Sequence, residues 1–373
     1  MNLVIKSLFF LILSNCCFIP EIPVKAEFHM YSINTKVDSE IARYYLDNFL
    51  QNKRVDTELD KKIQKIEIEF ENQNLDRTSL KKISEISSVD FASLYFANSI
   101  LLKDKNANIQ RKFLENLKKV KDDTAKFEGK DYCIVFIPGF DYVENGKLTG
   151  ADFAVPRKLV SEKGYPVHFI ELDPIGSVEE NADKISSDIK NLKYKKILLA
   201  SASSAGPATY LALGKILGSE DKSRVKAWLN LGGVLKGVPV LDQFSKGAKG
   251  QFFKFIVWLK DWRMKSFESM QTEVSRNRFQ ESRIPPNVLV VNYFGLSLSG
   301  DISKFASDKY CLMRNDGPND GLSLLPDLLV EEGYSILAPK SDHFFAEDPE
   351  INQKTLALLK TIVDILNSKG FEK

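Results

Sequence analysis

Ile197–Leu213 reads ILLASASSAGPATYLAL. An apolar run of strand length meets Ser201, Ser203 and Ser204, then Gly206-Pro207, then an alanine-rich segment with helical spacing. Such a turn is either a plain polar connection or a strained elbow that holds a serine hydroxyl clear of the backbone. An elbow needs small residues two before and two after its serine, because neighbouring chain passes close by. With Ser203 at the tip those residues are Ser201 and Ala205; with Ser204 they are Ala202 and Gly206. The phase of Gly206-Pro207-Ala208 favours Ser203, and Ser204 stays as the alternative.

Outward from this stretch, after Lys130, apolar β-branched runs alternate with helical patterns: YCIVFIPG, PVHFIEL, KKILLAS, KAWLNLGG, NVLVVNYFG and YSILAP. Continuous apolar strands separated by helices predict an α/β fold with a doubly wound, mostly parallel sheet. Chemistry in such sheets collects at the carboxyl ends of the strands.

A serine at a strand end becomes a nucleophile only with a base, and histidine is the natural one near neutral pH. The chain has three: His29, His168 inside the strand PVHFIEL, and His343 in SILAPKSDHFFAED. His343 follows the last strand-like run and precedes a C-terminal helix, so it alone occupies a strand-end loop. A carboxylate between serine and histidine would orient the imidazole. LMRNDGPNDGLSLLPD offers Asp320, with Asp316 in reserve; both precede glycine and both could be simple turn formers. Donors for a developing oxyanion would be the amides of Ser204 and of Phe140, which follows the first strand in FIPGFDY.

The 373 residues carry 52 Lys+Arg against 50 Asp+Glu, with no arginine-rich tract. That balance argues against nucleic acid as a partner. No CxxC or His/Cys spacing suggests a metal site. The first residues, MNLVIKSLFFLILSNCCFIPEIPVKAEF, have Lys6, an apolar run from Ser7 to Ile19, and small residues at Val24 and Ala26. This layout predicts a signal peptide over 1–26, cut after Ala26, and a secreted or periplasmic protein. In the alternative, Leu13–Cys16 (LSNC) is a loose lipoprotein box that leaves Cys16 as a lipid anchor. Cleavage after Ala26 would leave Cys133 and Cys311, between which a bridge is possible. Residues 27–129 carry helical periodicity in segments such as DSEIARYYLDNFL and NIQRKFLENLKKV, without strand patterns. A helical N-terminal region therefore precedes a domain over 130–373.

These residues resemble the α/β-hydrolase superfamily, and within it bacterial lipase-like serine hydrolases and esterases. The likeness runs from about Asp131 to Ala346. IPGFDYVENGKLTGADFAVPRKL is similar to the oxyanion loop and following segment, with Pro138 where histidine is common. LNLGGVLKGVPVLD, NDGLS and DHFF are similar to the post-elbow strand, the acid loop and the histidine loop. Ser201 and Ala205 replace the two usual elbow glycines. The resemblance implies an α/β-hydrolase fold with a Ser203–His343–Asp320 triad acting on carboxylic esters through an acyl-enzyme, and no organic cofactor. Some lipases of this group carry a structural calcium; one is possible here, but no ligand set in the sequence compels it. The same triad would serve an acyltransferase or thioesterase. A degenerate binding or scaffold protein would show the same elbow changes.

A lid or cap insertion is expected at about 243–283. There Phe252, Phe253, Phe255, Ile256, Trp258, Leu259 and Trp262 make a helix apolar around most of its circumference. Such a helix is either buried or lies at a lipid interface. As a lid it would bring Phe252, Phe253 and Trp258 to a lipid-like ester substrate; as a cap it would only pack on the core.

Overall fold

A computed structural model describes residues 17–71, 73–140, 142–244 and 247–368. The chain divides into two compact units. One comprises the chain up to Leu102 with Gly295–Asp327 and Ala338–Phe344; the other comprises Lys103–Phe294, Leu328–Leu337 and the chain from Phe345 onward. The division thus does not follow the expected boundary near residue 129, because segments distant in sequence join the N-terminal part.

The first unit opens with a hairpin where no strand was expected. β1 (Ile22–Phe28) pairs antiparallel with β2 (Tyr31–Val37) in continuous register from Ile22↔Val37 to Phe28↔Tyr31. Val24, Phe28, Ile33 and Val37 are buried and Ala26 and Thr35 on the same face half-buried, while the alternate residues Lys25, Glu27, Ser32, Asn34 and Lys36 are exposed. This alternation is the period of a half-buried strand. Ala26 pairs with Ile33 in the middle of β1, so a cut there would divide the strand. Residues 1–16, including Cys16, lie outside the described residues. Cys133 is an unbridged, buried thiol, as its place in a central strand suggests, and the possible bridge to Cys311 is not formed, because Cys311 bonds Cys17. Cleavage after Ala26 would have removed Cys17, which is why Cys17 did not figure among the candidate bridging cysteines.

Four helices follow in this unit: α1 (Glu40–Asp47), α2 (Thr57–Phe70), α3 (Arg77–Ile86) and α4 (Val89–Leu101). Each starts on a side-chain oxygen that accepts from a first-turn amide, supplied by Ser39, Asp56, Asp76 and Ser88. Such caps satisfy donors that the helix itself cannot. The N-terminal residues are tied to the late segments of the same unit. The Asp90 carboxylate accepts from the backbone and hydroxyl of Ser299, Thr35 donates to Asp301, and Arg314 pairs with Asp38.

The second unit carries the sheet. β3 (Cys133–Ile137), β4 (Val167–Phe169), β5 (Ile197–Ala202), β6 (Val225–Leu231), β7 (Leu289–Leu296) and β8 (Tyr334–Pro339) lie in the order β4-β3-β5-β6-β7-β8. The pairs β3–β4, β3–β5, β5–β6 and β6–β7 are parallel. All six predicted strands are present. β3, β5 and β7 are buried almost throughout, which explains their unbroken apolar runs. From β3 the chain first moves to β4 at one side and then to β5 at the other. The direction of winding therefore reverses at β3/β5, where ligand crevices of such sheets form.

Helices cover this sheet: α5 (Asp104–Lys121), α6 (Val178–Asn191), α7 (Ala205–Leu211), α8 (Gly247–Leu259) and α9 (Ile351–Asn367), with shorter turns between. The edge strand β8 has its backbone paired by α5 side chains. Asn106 Oδ1 accepts from the Ser335 amide at 2.9 Å, and Gln110 Oε1 from the Leu337 amide at 2.8 Å. Covering an edge in this way removes unpaired backbone groups that invite association. Among the described residues no helix is long and apolar enough to cross a membrane.

Candidate active site

β5 ends at Ala202, α7 begins at Ala205, and the turn between them turns on Ser203, whose φ is +52°. The left-handed region costs a residue with a Cβ about 1–2 kcal/mol, so surrounding contacts must hold it. Here the Ser203 amide donates to Leu231 O at 3.0 Å. Its carbonyl accepts from Gly206 at 2.9 Å and from Val234 at 3.2 Å. Ser204 has an ordinary helical backbone (φ −61°, ψ −21°). Of the two candidate serines, Ser203 has the elbow conformation.

The two departures from the usual elbow have separate explanations. Ser201 is fully buried, and its Oγ accepts from the indole Nε1 of Trp228 at 2.8 Å. Its hydroxyl thus serves a buried donor on the neighbouring strand. The tight approach of chain falls at Gly206, where an added Cβ would lie 2.6 Å from the Gly233 Cα. Ala205 meets no such constraint in the described contacts and is simply buried. Trp228 and Gly233 were both missed in the sequence, although the doubled glycine after KAWLNL marks a place where backbone comes close.

The loop after β3 lies against the elbow. A Cβ on Gly139 would stand 3.3 Å from Ser203 Cβ and 3.4 Å from Ala202 O, so the loop passes in close contact with the elbow. Phe140 follows, its ring edge-on to Trp262 and Phe267 at 6.1 and 5.7 Å between centroids. Phe140 and Ser204 both line a small cavity, together with Leu172, Val178 and Met270.

In the first unit, His343 Nδ1 lies 2.8 Å from Asp320 Oδ2. A carboxylate only accepts, so Nδ1 carries the proton and Nε2 holds the lone pair that a general base requires. Asp320 is fully buried, and its Oδ1 accepts from the amides of Leu322 and Ser323 at 2.9 and 2.8 Å. The backbone repeats the link, with the His343 amide donating to Asp320 O at 2.8 Å. Asp316, the reserve candidate, pairs instead with Arg77 at 3.4 Å and Lys81 at 3.9 Å on α3.

The insertion residues divide. Phe253 is buried, stacked on Phe244 and edge-on to Phe267. Phe252 is half-buried, and Trp258 is 73% exposed. None of these three lines the cavity beside Ser204. Among the described residues no group of three His, Cys, Asp or Glu side chains is placed to hold a metal ion.

No protein-family model matches the chain, and no curated protein matches it in sequence. Solved structures do. It is similar to a metagenomic carboxyl esterase, MGS0156, at TM-score 0.52 and 16% identity, over 64% of this chain and 76% of that one. It is also similar to the Bacillus licheniformis lipase BlEst2 in its propeptide form, at TM-score 0.51 and 18% identity, over 62% of this chain and 51% of that one. At these identities the likeness is one of fold. With the parallel sheet, its order and the elbow after β5, the chain has the α/β-hydrolase fold.

Proposed function

We propose that the protein is a serine hydrolase that cleaves carboxylic esters. The observation that carries this reading is the left-handed backbone of Ser203, with a glycine of the β3 loop against its side chain. Left-handed backbone is also found at six other described non-glycine residues, but Ser203 alone among them stands at the turn from β5 into α7, at the carboxyl end of a central strand where chemistry collects in such sheets.

In this reading Ser203 Oγ attacks the ester carbonyl while His343 Nε2 takes its proton. Asp320 holds the imidazole in its tautomer and stabilises the imidazolium. The amides of Ser204 and Phe140 donate to the tetrahedral oxyanion. His343 returns the proton to the leaving alcohol, and water then attacks the acyl-enzyme by the same route to release the acid. The triad is equally suited to transferring the acyl group to another alcohol or a thiol; the acceptor is chosen by the pocket.

Export is the second part of the proposal. A bridge between Cys17 and Cys311 suits an oxidising compartment. With Cys17 bonded and Ala26 inside β1, we place the cleavage before Cys17, which leaves Cys16 as a candidate lipid anchor. Contact with a lipid interface is supported by α8, where Phe255, Trp258 and Leu259 are 50%, 73% and 40% exposed beside the exposed Lys254.

The test is fluorophosphonate labelling of the full exported chain, read by peptide mapping, with Ser203→Ala and Ser204→Ala alongside. Stoichiometric labelling lost only in Ser203→Ala is expected. Folded protein that takes no label, beside a labelled control hydrolase, would leave a binding or scaffold role on this fold as the better reading.

A further inference from the structure

We infer that Asn230 is a positioning residue for the proposed nucleophile: its amide oxygen sets the spacing of the two backbone segments that hold Ser203. This rests on the ester-hydrolase reading above. Every group involved belongs to the second unit. Asn230 and Asn292 interrupt the apolar runs of β6 and β7, stand opposite one another in register, and are 1% and 0% exposed. Asparagine is depleted in strands, and its amide is costly to bury without partners.

Most of this amide pair is satisfied by its surroundings. Asn230 Nδ2 donates to Asn292 Oδ1 at 3.2 Å and to Leu328 O at 2.9 Å. Asn292 Nδ2 donates to the carbonyls of Val330 and Tyr334 at 3.0 and 3.1 Å. Asn292 Oδ1 also accepts from the Val330 amide at 3.1 Å. These bonds fix the orientation of the Asn230 amide, because turning it over would set its oxygen against two acceptors. The Asn230 oxygen is left, and among the described residues no N–H or O–H donates to it. It faces Gly233 and Gly206 instead: a Cβ on them would lie 2.1 and 3.1 Å from it. A Gly233 Cα–H thus points at this oxygen, which is a weak contact compared with an amide bond.

The two glycines are tied to the elbow. The Ser203 carbonyl accepts from the Gly206 amide and from that of Val234, next to Gly233. The Ser203 amide donates to Leu231, next to Asn230. The distance between the glycines therefore decides how these bonds hold a residue at φ +52°. A buried acceptor without a donor is unfavourable and calls for an explanation. Leucine, of the same branching, would spare the acceptor, yet its methyl group is wider than an oxygen and would press the glycines apart. Alanine would leave the space empty and let them close. An oxygen keeps the gap that the elbow requires.

The experiment measures the rate of fluorophosphonate labelling at Ser203, with kcat and KM for p-nitrophenyl butyrate. It compares the full unmodified chain with Asn230→Ala, Asn230→Leu and Asn292→Ala, and urea unfolding shows which variants are folded under assay conditions. Folded Asn230 variants should lose about tenfold to a hundredfold in labelling rate and kcat, the scale of a small misplacement of a reacting group. KM should stay near the unmodified value, since the loss falls on the transition state. Asn292→Ala frees the anchored end of Asn230 without touching the elbow, and it should lose less, again in kcat. A residue that only stabilises the fold would lower the urea midpoint and leave folded protein labelling at the unmodified rate. That result, or failure of all three variants to fold, would overturn the positioning role while label on unmodified Ser203 kept the hydrolase. Unmodified protein that takes no label would remove the hydrolase reading and the positioning role together.

Discussion

Gly206 and Gly233 meet backbone to backbone: a methyl group on the first would lie 2.6 Å from the Cα of the second. Real Cβ atoms do not approach so near, so the start of α7 and the loop after β6 are held at glycine distance. Gly206 also donates to the Ser203 carbonyl, so the contact bears directly on the elbow. Gly206→Ala should push the two backbones apart, costing about 1–3 kcal/mol in unfolding free energy and lowering the rate of fluorophosphonate labelling. An unchanged urea midpoint would show that the backbones part without resistance.

Ser201→Gly restores the common elbow sequence and should nevertheless destabilise the protein. The Trp228 indole would lose its acceptor while still fully buried, at about 1–3 kcal/mol. Ser201→Ala should show a similar loss, because the hydroxyl rather than the size of the side chain is at issue. Urea unfolding of both variants checks this; stability above the unmodified chain in either would contradict it.

The two Asn-Asp-Gly turns should separate cleanly in kinetics. Asp320→Asn should lower kcat by about four orders of magnitude, the loss expected when a histidine is held in the wrong tautomer. Asp316→Asn removes a partner of Arg77 and Lys81 at the surface and should change stability by under about 1 kcal/mol, with kcat nearly intact. A kcat loss in Asp316→Asn matching that of Asp320→Asn would reassign the acid.

Asp90 should make the first unit pH-sensitive. Its carboxyl is fully buried and raised to about 7, first by burial and then by the charge of Asp38, against hydrogen bonds from Ser299 and the Arg314 guanidinium. Tyr310 is the other ionisable group in contact with it. A carboxyl raised on folding is protonated more readily in the native state. Its contribution is therefore fully present below the unfolded value of about 3.9 and declines as pH rises toward 7. The slope is at most about 1.4 kcal/mol per pH unit. Urea unfolding from pH 4 to 8 should show this decline, and Asp90→Asn should flatten it whatever its effect on absolute stability.

The N-terminus can be read by intact mass. Protein exported by a bacterial host should retain Cys17 and lose one disulfide on reduction, with or without an acylated Cys16 ahead of it. A mature chain beginning at Glu27 would refute cleavage before Cys17. Cys17→Ser should cost about 2–4 kcal/mol, the usual range for removing a bridge.

The sheet was legible because its strands are buried on both faces and therefore written as unbroken apolar runs. His343 was singled out by elimination, being the one histidine after a strand end, and the pairing of its ring with Asp320 was the part of that choice the structure could add. Asp320 and Asp316 could not be separated locally, since both stand in Asn-Asp-Gly; the difference lies in Arg77 and Lys81, far away in sequence. The β1–β2 hairpin was hidden because its first strand adjoins an apolar leader pattern and Ala26 looked like the end of it. For α8, periodicity gave an apolar circumference but not which sides are covered, so Phe253 and Trp258 looked alike and have opposite exposures.

Asp320 and His343 are carried by segments that form one compact unit with the first hundred residues, bonded to them through Asp38, Asp90 and Thr35. The N-terminal helices are thus not an appendage that can be trimmed without disturbing the segments that hold Asp320 and His343. Deleting them would remove, from outside the sheet, the support of the two residues that the proposed mechanism uses as acid and base.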